Sequence, residues 1–195
     1  MKAHTGWRSR GYIPHYDHPD TVQHVVFRLV DSLPPDVMRR IDTAPPAERF
    51  EAIETVLDAE AGSRLLANPA AARIVQDSLL HFDATRYHLL AWCVMPTHVH
   101  VLVAQIDGWL LADVVHSWKS FTAHAVNTAL RRTGTVWSRE YFDRMMRDEG
   151  QTGTAQAYIE NNPVKAGLCA APEDWRWSSA FPAIAARAGE TPAFR

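Results

Sequence analysis

Two apolar segments joined by a Pro-Thr pair restrict the fold of this chain more than any other feature. YHLLAWCVM (87–95) and HVHVLVA (98–104) each have the length and the β-branched and aromatic content of a strand. Pro96 and Thr97 leave room for only a tight link between them. The pattern therefore predicts two consecutive strands at the centre of a sheet.

Strands and helices alternate along the rest of the chain. β-Branched and aromatic runs predict further strands, and apolar residues at three- and four-residue steps predict helices. The expected strands are 22–30 and 136–146, and the expected helices are 69–81, 107–134 and a short one at 154–162 that ends before Pro163. The glycine patterns of nucleotide-binding α/β folds do not occur. These elements predict an α+β fold in which helices pack on one face of the sheet.

A proline-rich stretch interrupts this alternation. Residues 34–68 contain four prolines and a polar helical pattern. Together with the helix that follows, they predict a helical insertion at about 34–82 within a single domain over residues 1–195. The Ala-rich end of the chain predicts a flexible tail after residue 182.

Two features exclude other classes of protein. No apolar run approaches the roughly 18–20 residues that cross a bilayer, and the first thirty residues lack the apolar middle of a signal peptide. Cys93 and Cys169, the two cysteines of the chain, cannot build a disulfide framework or a four-Cys zinc site. The sequence therefore predicts a cytoplasmic protein without a membrane partner.

Charge is unevenly distributed along the chain, whose net charge is −2. Residues 31–77 carry nine acidic and five basic side chains, whereas residues 115–147 carry six basic and two acidic ones. An anionic partner is therefore expected to bind the second segment.

His98 and His100 stand two residues apart on a predicted strand. Because strand side chains alternate between faces, both imidazoles point to the same side and could chelate one metal ion. The same spacing also fits two histidines on a polar sheet face, so the pair alone leaves both interpretations open.

Tyr158 and Asn162 stand four residues apart in the short predicted helix. They therefore share one face, about a turn from each other, where a nucleophile and a metal ligand could lie side by side. A half-buried tyrosine and a polar residue that closes the helix before Pro163 would give the same pattern.

Four blocks of the sequence together resemble a known family. The blocks are YHLLAWCVMPTHVHVLV (87–103), SWKSFTA (117–123), WSREYFDR (137–144) and YIENNPVKAGL (158–168). They are similar to the REP-associated tyrosine transposases, chromosomal relatives of the single-strand insertion-sequence transposases within the HUH (His-hydrophobic-His) endonuclease superfamily. The resemblance runs from about residue 10 to residue 179. It departs from the family pattern at Thr97, where Asn is usual, and at Ser138, where Gln is common.

The resemblance implies a ferredoxin-like antiparallel sheet that holds His98 and His100 on a central strand, facing a helix that presents Tyr158. By the family's motif, Asn162 is the third protein ligand of the metal. The implied activity is metal-dependent nicking and strand transfer on single-stranded or hairpin DNA, such as the palindromes called REP elements, through a 5′-phosphotyrosine intermediate. The insertion-sequence relatives are dimers, so both a monomer and a homodimer remain open.

These residue types suit that chemistry. Two imidazoles and one amide oxygen leave positions open on a divalent cation, which acts as a Lewis acid at a phosphate. Mg²⁺ prefers oxygen ligands and Mn²⁺ accepts imidazole more readily, so either ion fits. A phenol with an ordinary pKa near 10 needs a nearby cation to react at neutral pH.

DNA contacts are expected in the basic segment. Trp118, Lys119 and Thr122 occupy neighbouring positions of the long helix, and Arg139, Arg144 and Arg147 follow on or near the next strand. A packed core for the aromatic residues and a solvated face for the basic ones would explain the same pattern.

Two other functions are weighed against this one. A domesticated hairpin-binding protein that has lost cleavage would share the fold, although the intact set of site residues argues against it. A histidine-triad phosphohydrolase requires His-x-His-x-His, and Leu102 stands where its third histidine belongs.

Overall fold

Strands and helices alternate in the computed structural model, which describes residues 6–9, 14–19, 21–34, 37, 39, 41, 43, 45–57 and 62–182. The strands are β1 (Gly6–Ser9), β2 (Pro14–Asp17), β3 (Val22–Leu29), β4 (Tyr87–Val94), β5 (His98–Gln105) and β6 (Trp137–Met145). The helices discussed below are α1 (Pro46–Leu57), α2 (Pro69–His81), α3 (Leu111–Ala129) and α4 (Glu149–Lys165).

Four of the strands form one antiparallel sheet in the order β4-β5-β3-β6. Helix α2 connects β3 to β4, and α3 connects β5 to β6. This is the ferredoxin-like α+β arrangement, so the predicted fold class is confirmed. Strands β3 and β5 are central, but β4 lies at an edge of the sheet, so the prediction that both strands of the 87–104 pair are central holds for β5 alone.

Helices cover both faces of this sheet. Val99, Val101 and Val103 of β5 face a core that α2 and α3 close, whereas Leu102 faces a second core with residues of α4. Every residue of β3 and β5 is buried, as expected for strands packed on both sides. The predicted helix layer on one face is therefore present, and α1 and α4 add a layer on the other.

Local signals set where the helices begin and end. The Asn68 side chain accepts a hydrogen bond from the Ala70 N–H, which starts α2 where the sequence predicts it. Asp148 caps α4 in the same way by accepting from the Gln151 N–H at 2.7 Å. Helix α4 is longer than predicted and continues through Pro163 to Lys165, so the prediction that Pro163 ends it is wrong. The proline lies in the last turn, where it interrupts little of the remaining helix.

The expected insertion has two structural parts. Helix α2 is the crossover between β3 and β4, whereas α1 packs Phe50, Ile53 and Leu57 against Val26 and Phe142 on the second face of the sheet. The expected tail after residue 182 lies outside the described residues. Among the described helices, none combines the length and the hydropathy needed to cross a bilayer.

Candidate metal and nucleophile site

His98 and His100 lie on central strand β5 and point to the face that carries α1 and α4. Both side chains are fully buried. Their Nε2 nitrogens are 2.9 Å apart, and the rings are nearly perpendicular, with an interplanar angle of 79°. The strand geometry thus brings two imidazole nitrogens to one point, as the two-residue spacing predicts.

The other nitrogen of each ring has its own neighbour. His98 Nδ1 lies 2.9 Å from the Thr97 hydroxyl, and His100 Nδ1 lies 3.0 Å from His24 Nε2. Burial lowers the pKa of His98 and of His24 to about 3 and holds the pKa of His100 well below its ordinary value. The rings are therefore neutral at physiological pH, the state in which an imidazole can bind a metal.

Asn162 of α4 completes this cluster. Its side chain is 1% exposed, and its Nδ2 lies 3.3 Å from His100 Nε2. Its Oδ1 has no hydrogen-bond partner among the described residues. Amide oxygen and nitrogen exchange places when the amide rotates by half a turn, so the oxygen can face the two histidines. A buried amide oxygen beside two neutral imidazole nitrogens fits a divalent cation.

Tyr158 lies one turn before Asn162 on α4. Its ring stands edge-on to that of His100, with 5.8 Å between the centroids and an interplanar angle of 85°. The Lys165 ammonium lies 5.4 Å from the centroid of the Tyr158 ring. The ammonium therefore lies over the face of the ring, where a cation–π contact is favourable.

A cavity of about 550 Å³ opens beside the tyrosine, between α1, β6 and α4. Residues of these three elements line the cavity together with His24 of β3. They include Arg144 of β6 and three residues of α4: Gln151, Thr154 and Tyr158. Arg144, one of the predicted DNA-binding residues, is exposed here and pairs with His24 in the β3–β6 register. The cavity therefore places a guanidinium, which suits phosphate, near the phenol.

Arg147 lies just beyond the same strand. It is exposed, and its N–H donates to the Gln151 side chain, which lines the cavity. Arg144 and Arg147 are thus the two predicted DNA-binding residues on the site's side of the sheet.

Lys119 and Arg139 lie at the helix α3 side of β6. The Lys119 ammonium donates to the Arg139 carbonyl at 2.8 Å, and the Arg139 side chain is 83% exposed. Burial lowers the pKa of Lys119 to about 8. The two residues line a separate cavity of about 90 Å³.

Trp118 and Thr122 are core residues. Their exposed fractions are 2% and 1%, and they face the sheet beneath α3. The Trp118 indole donates to the Tyr87 hydroxyl, and the Thr122 hydroxyl accepts from the Trp137 indole, each at 2.9 Å. The prediction that these two side chains contact DNA is therefore corrected, because neither reaches the surface.

Three residues near the site escaped the sequence prediction: His24, Glu54 and Lys165. His24 belongs to a strand pattern that does not specify its neighbouring strand, so the sequence gives no reason to pair it with residues 98–100. Glu54 is one of nine acidic residues in the 31–77 segment, and nothing in that pattern distinguishes it from the others. Lys165 follows Tyr158 by seven residues, two helical turns, and a helical assignment that ended before Pro163 concealed this spacing.

Known proteins share both sequence and fold with this chain. Residues 72–162 match the family model described as IS200-like transposase, and this stretch contains both histidines, the tyrosine and the asparagine of the site. A curated Haemophilus influenzae protein, named as a REP-associated tyrosine transposase, is 25% identical over 103 residues. That match covers 48% of this chain and 58% of the relative, so the chain matches less than two thirds of that protein's length.

A solved structure has a similar fold. It is that of a REP-associated tyrosine transposase bound to a REP hairpin, with a TM-score of 0.60 and 18% sequence identity. The match covers 91% of this chain and 86% of the other.

Proposed function

We propose that this chain, which is similar to the REP-associated tyrosine transposases, nicks and rejoins single-stranded or hairpin DNA with Tyr158 as nucleophile. One observation carries the proposal. Strand β5 and helix α4, which are far apart in sequence, bring His98, His100, Asn162 and Tyr158 into one site.

The proposed metal ligands are His98, His100 and Asn162. When bound there, Mg²⁺ or Mn²⁺ would act as a Lewis acid that offsets negative charge at the scissile phosphate. The two imidazoles are neutral and buried, and the amide oxygen has no hydrogen-bond partner among the described residues. These three side chains can therefore hold a cation without first losing protons.

The chemical step uses residues that surround the cavity. The Tyr158 oxygen forms a bond to phosphorus, the bond from phosphorus to the 3′ oxygen breaks, and a 5′-phosphotyrosine and a free 3′-hydroxyl result. The phenol would give up its proton to water that enters the adjoining cavity, and the leaving 3′ oxygen would take one up. Lys165, which lies over the phenol ring, would favour the phenolate, and Arg144, which lines the same cavity as Tyr158, would hold a phosphate oxygen. The phosphodiester energy stays in the new bond, so the strand can be rejoined without ATP.

The proposed substrate is a REP-type hairpin with a single-stranded flank. The solved relative is bound to a REP hairpin, and this chain has basic side chains on both sides of β6. Arg144 and Arg147 would contact the strand that enters the cavity, and Lys119 and Arg139 a more distant part of the DNA. A chromosomal substrate of this kind implies that the protein, which we take as one domain, acts in the cytoplasm.

Incubation of the full chain with labelled hairpins and Mg²⁺ or Mn²⁺ tests this function. We expect a covalent protein–DNA band on a denaturing gel for the wild type and no band for Tyr158→Phe, which removes one oxygen. Tyr141→Phe is the matched control, because Tyr141 is 8% exposed and belongs to the core on the opposite face of the sheet. An adduct formed by Tyr158→Phe and mapped to another residue would contradict the assignment.

The second candidate is a hairpin-binding protein that does not cleave. The same experiment separates the two functions, because such a protein would shift the hairpin on a native gel and form no covalent band with either ion.

A further inference from the structure

His24 connects the proposed metal site to helix α1. Its side chain is 3% exposed and lies between His100 on one side and α1 on the other. Phe50 and Glu54, one turn apart on α1, both face it. The Phe50 ring meets the His24 ring edge-on at 4.9 Å between centroids, and Glu54 Oε1 lies 3.7 Å from His24 Nδ1.

Charge favours one arrangement of the protons in this cluster. Glu54 is a carboxylate, which only accepts hydrogen bonds, and its Oε1 lies 3.7 Å from His24 Nδ1 and 3.9 Å from His100 Nδ1. Both distances exceed that of a hydrogen bond, but the nearby negative charge favours a proton on each of these two nitrogens. A neutral His24 then has a lone pair on Nε2, which lies 3.0 Å from His100 Nδ1 and accepts its proton. His100 is left with its lone pair on Nε2, the nitrogen that faces His98 and Asn162.

We propose that Glu54 and His24 are positioning residues that fix the tautomer of His100, so that its Nε2 is always available to a metal ion. The inference rests on the proposed function for the use of that ion. It assigns a role to α1, the helix from the acidic segment: α1 supplies the carboxylate that favours this arrangement of protons. A carboxylate behind a ligating histidine typically improves metal affinity by about 10- to 100-fold.

A different arrangement of the same residues gives a competing site. Ligand atoms of His24, Glu54 and His100 all lie within 4.8 Å of one another and could themselves hold an ion. We favour positioning, because His24 Nε2 and His100 Nδ1 are already at hydrogen-bond distance. The two arrangements differ in whether Asn162 is needed for binding.

Mn²⁺ binding to the full-length chain, measured by titration calorimetry, tests the proposal. We expect Glu54→Gln to weaken Mn²⁺ binding by about 10- to 100-fold. Glu48→Gln, an exposed carboxylate in the first turn of the same helix, is expected to bind like the wild type. Asn162→Ala is expected to lose most of the affinity. Wild-type affinity in Glu54→Gln, or an unchanged affinity in Asn162→Ala together with a loss in Glu54→Gln, overturns the proposal.

The nitrogen that carries each proton gives a second readout that needs no metal. Long-range proton–nitrogen NMR spectra of the metal-free chain are expected to show His24 and His100 protonated on Nδ1. Glu54→Gln should produce a mixture of tautomers, because an amide can donate as well as accept, and Glu54→Asp should restore the wild-type pattern. Identical tautomers in wild type and Glu54→Gln overturn the proposal even if the calorimetry is lost to unfolding of a variant.

The two readouts also separate this inference from the proposed function. A wild-type chain that binds no Mn²⁺ but shows tautomers that depend on Glu54 would contradict the proposed metal chemistry while retaining the positioning role of Glu54. If Glu54→Gln binds Mn²⁺ and cleaves DNA like the wild type, the proposed function is retained and the positioning role of Glu54 is contradicted.

Discussion

Tyr158 and Asn162, one turn apart on the same face of α4, both contact His100: the tyrosine ring meets it edge-on, and the amide lies 3.3 Å from its Nε2. One histidine of strand β5 therefore links the proposed nucleophile and the proposed third ligand. Movement of α4 relative to β5 would disturb both at once, and the buried residues Ala155 and Ile159 of α4 hold the two elements together.

His100→Ala is expected to abolish adduct formation, because it removes one proposed ligand and the ring against which Tyr158 packs. The loss should reach at least about a hundredfold, the scale on which removal of one electrostatic stabiliser acts. Rates of adduct formation at limiting Mn²⁺ measure it. His124→Ala, an exposed histidine on α3, is the control and should react like the wild type. Wild-type cleavage by His100→Ala would place the metal elsewhere.

Lys165→Gln is expected to slow adduct formation and to leave Mn²⁺ affinity unchanged. The ammonium favours charge on the phenol oxygen, and the neutral amide does not. Single-turnover rates at saturating hairpin test this, because a deficit that persists at saturation lies in the chemical step. A deficit that disappears at saturating hairpin would assign Lys165 to binding rather than activation.

Arg144→Ala is expected to weaken hairpin binding and to lower the salt slope by about 0.7, the contribution of one phosphate contact to single-stranded DNA. Fluorescence anisotropy at several salt concentrations gives both numbers. Arg73→Ala is a suitable control, since Arg73 is an exposed residue on α2, away from the basic segment. An unchanged salt slope in Arg144→Ala would show that Arg144 does not contact a phosphate, and would contradict the proposal that the DNA strand enters the cavity.

Hairpin affinity is expected to fall as pH rises from 7 to 9, because burial lowers the pKa of Lys119 to about 8. The ammonium is charged below that pKa, where it can bind phosphate, and becomes neutral above it. Lys119→Arg keeps its charge over this range and should remove most of the pH dependence. If the wild type and Lys119→Arg lose affinity equally between these pH values, Lys119 does not contact the DNA.

Thr122→Val is expected to destabilise the fold by about 1–3 kcal/mol, because it leaves the buried Trp137 indole N–H without its acceptor. Thermal unfolding measures this change. Hairpin affinity and its salt slope should stay as in the wild type at temperatures where the variant is folded. A weaker salt dependence of hairpin binding in Thr122→Val would indicate that Thr122 belongs to the DNA interface.

Residue spacings of two on a strand and four on a helix predict reliably which side chains share a face. The two-residue spacing of His98 and His100 and the four-residue spacing of Tyr158 and Asn162 correctly predicted which side chains share a face. The resemblance supplied the fact that these two faces meet. Burial on α3 was harder to predict: Trp118 and Lys119 are adjacent in sequence, yet one lies in the core and the other reaches the surface. Adjacent helical positions diverge by about 100°, and the sequence does not say which of them faces the sheet.

Glu54 could not have been found from the sequence. Its distance from His24 depends on where α1 packs, and nothing in the acidic pattern specifies the sheet face that receives this helix. His24 was equally hidden, because β3 and β5 pair across 76 residues of chain.

Helix α4 is the last large element of the described fold, and it docks on strands β4 and β5 that are synthesised long before it. The proposed nucleophile can therefore meet the two histidines only after contacts that are distant in sequence have closed. Under the proposed function, a chain that lacks these contacts would be unable to cleave DNA, so strand breakage would depend on the complete fold.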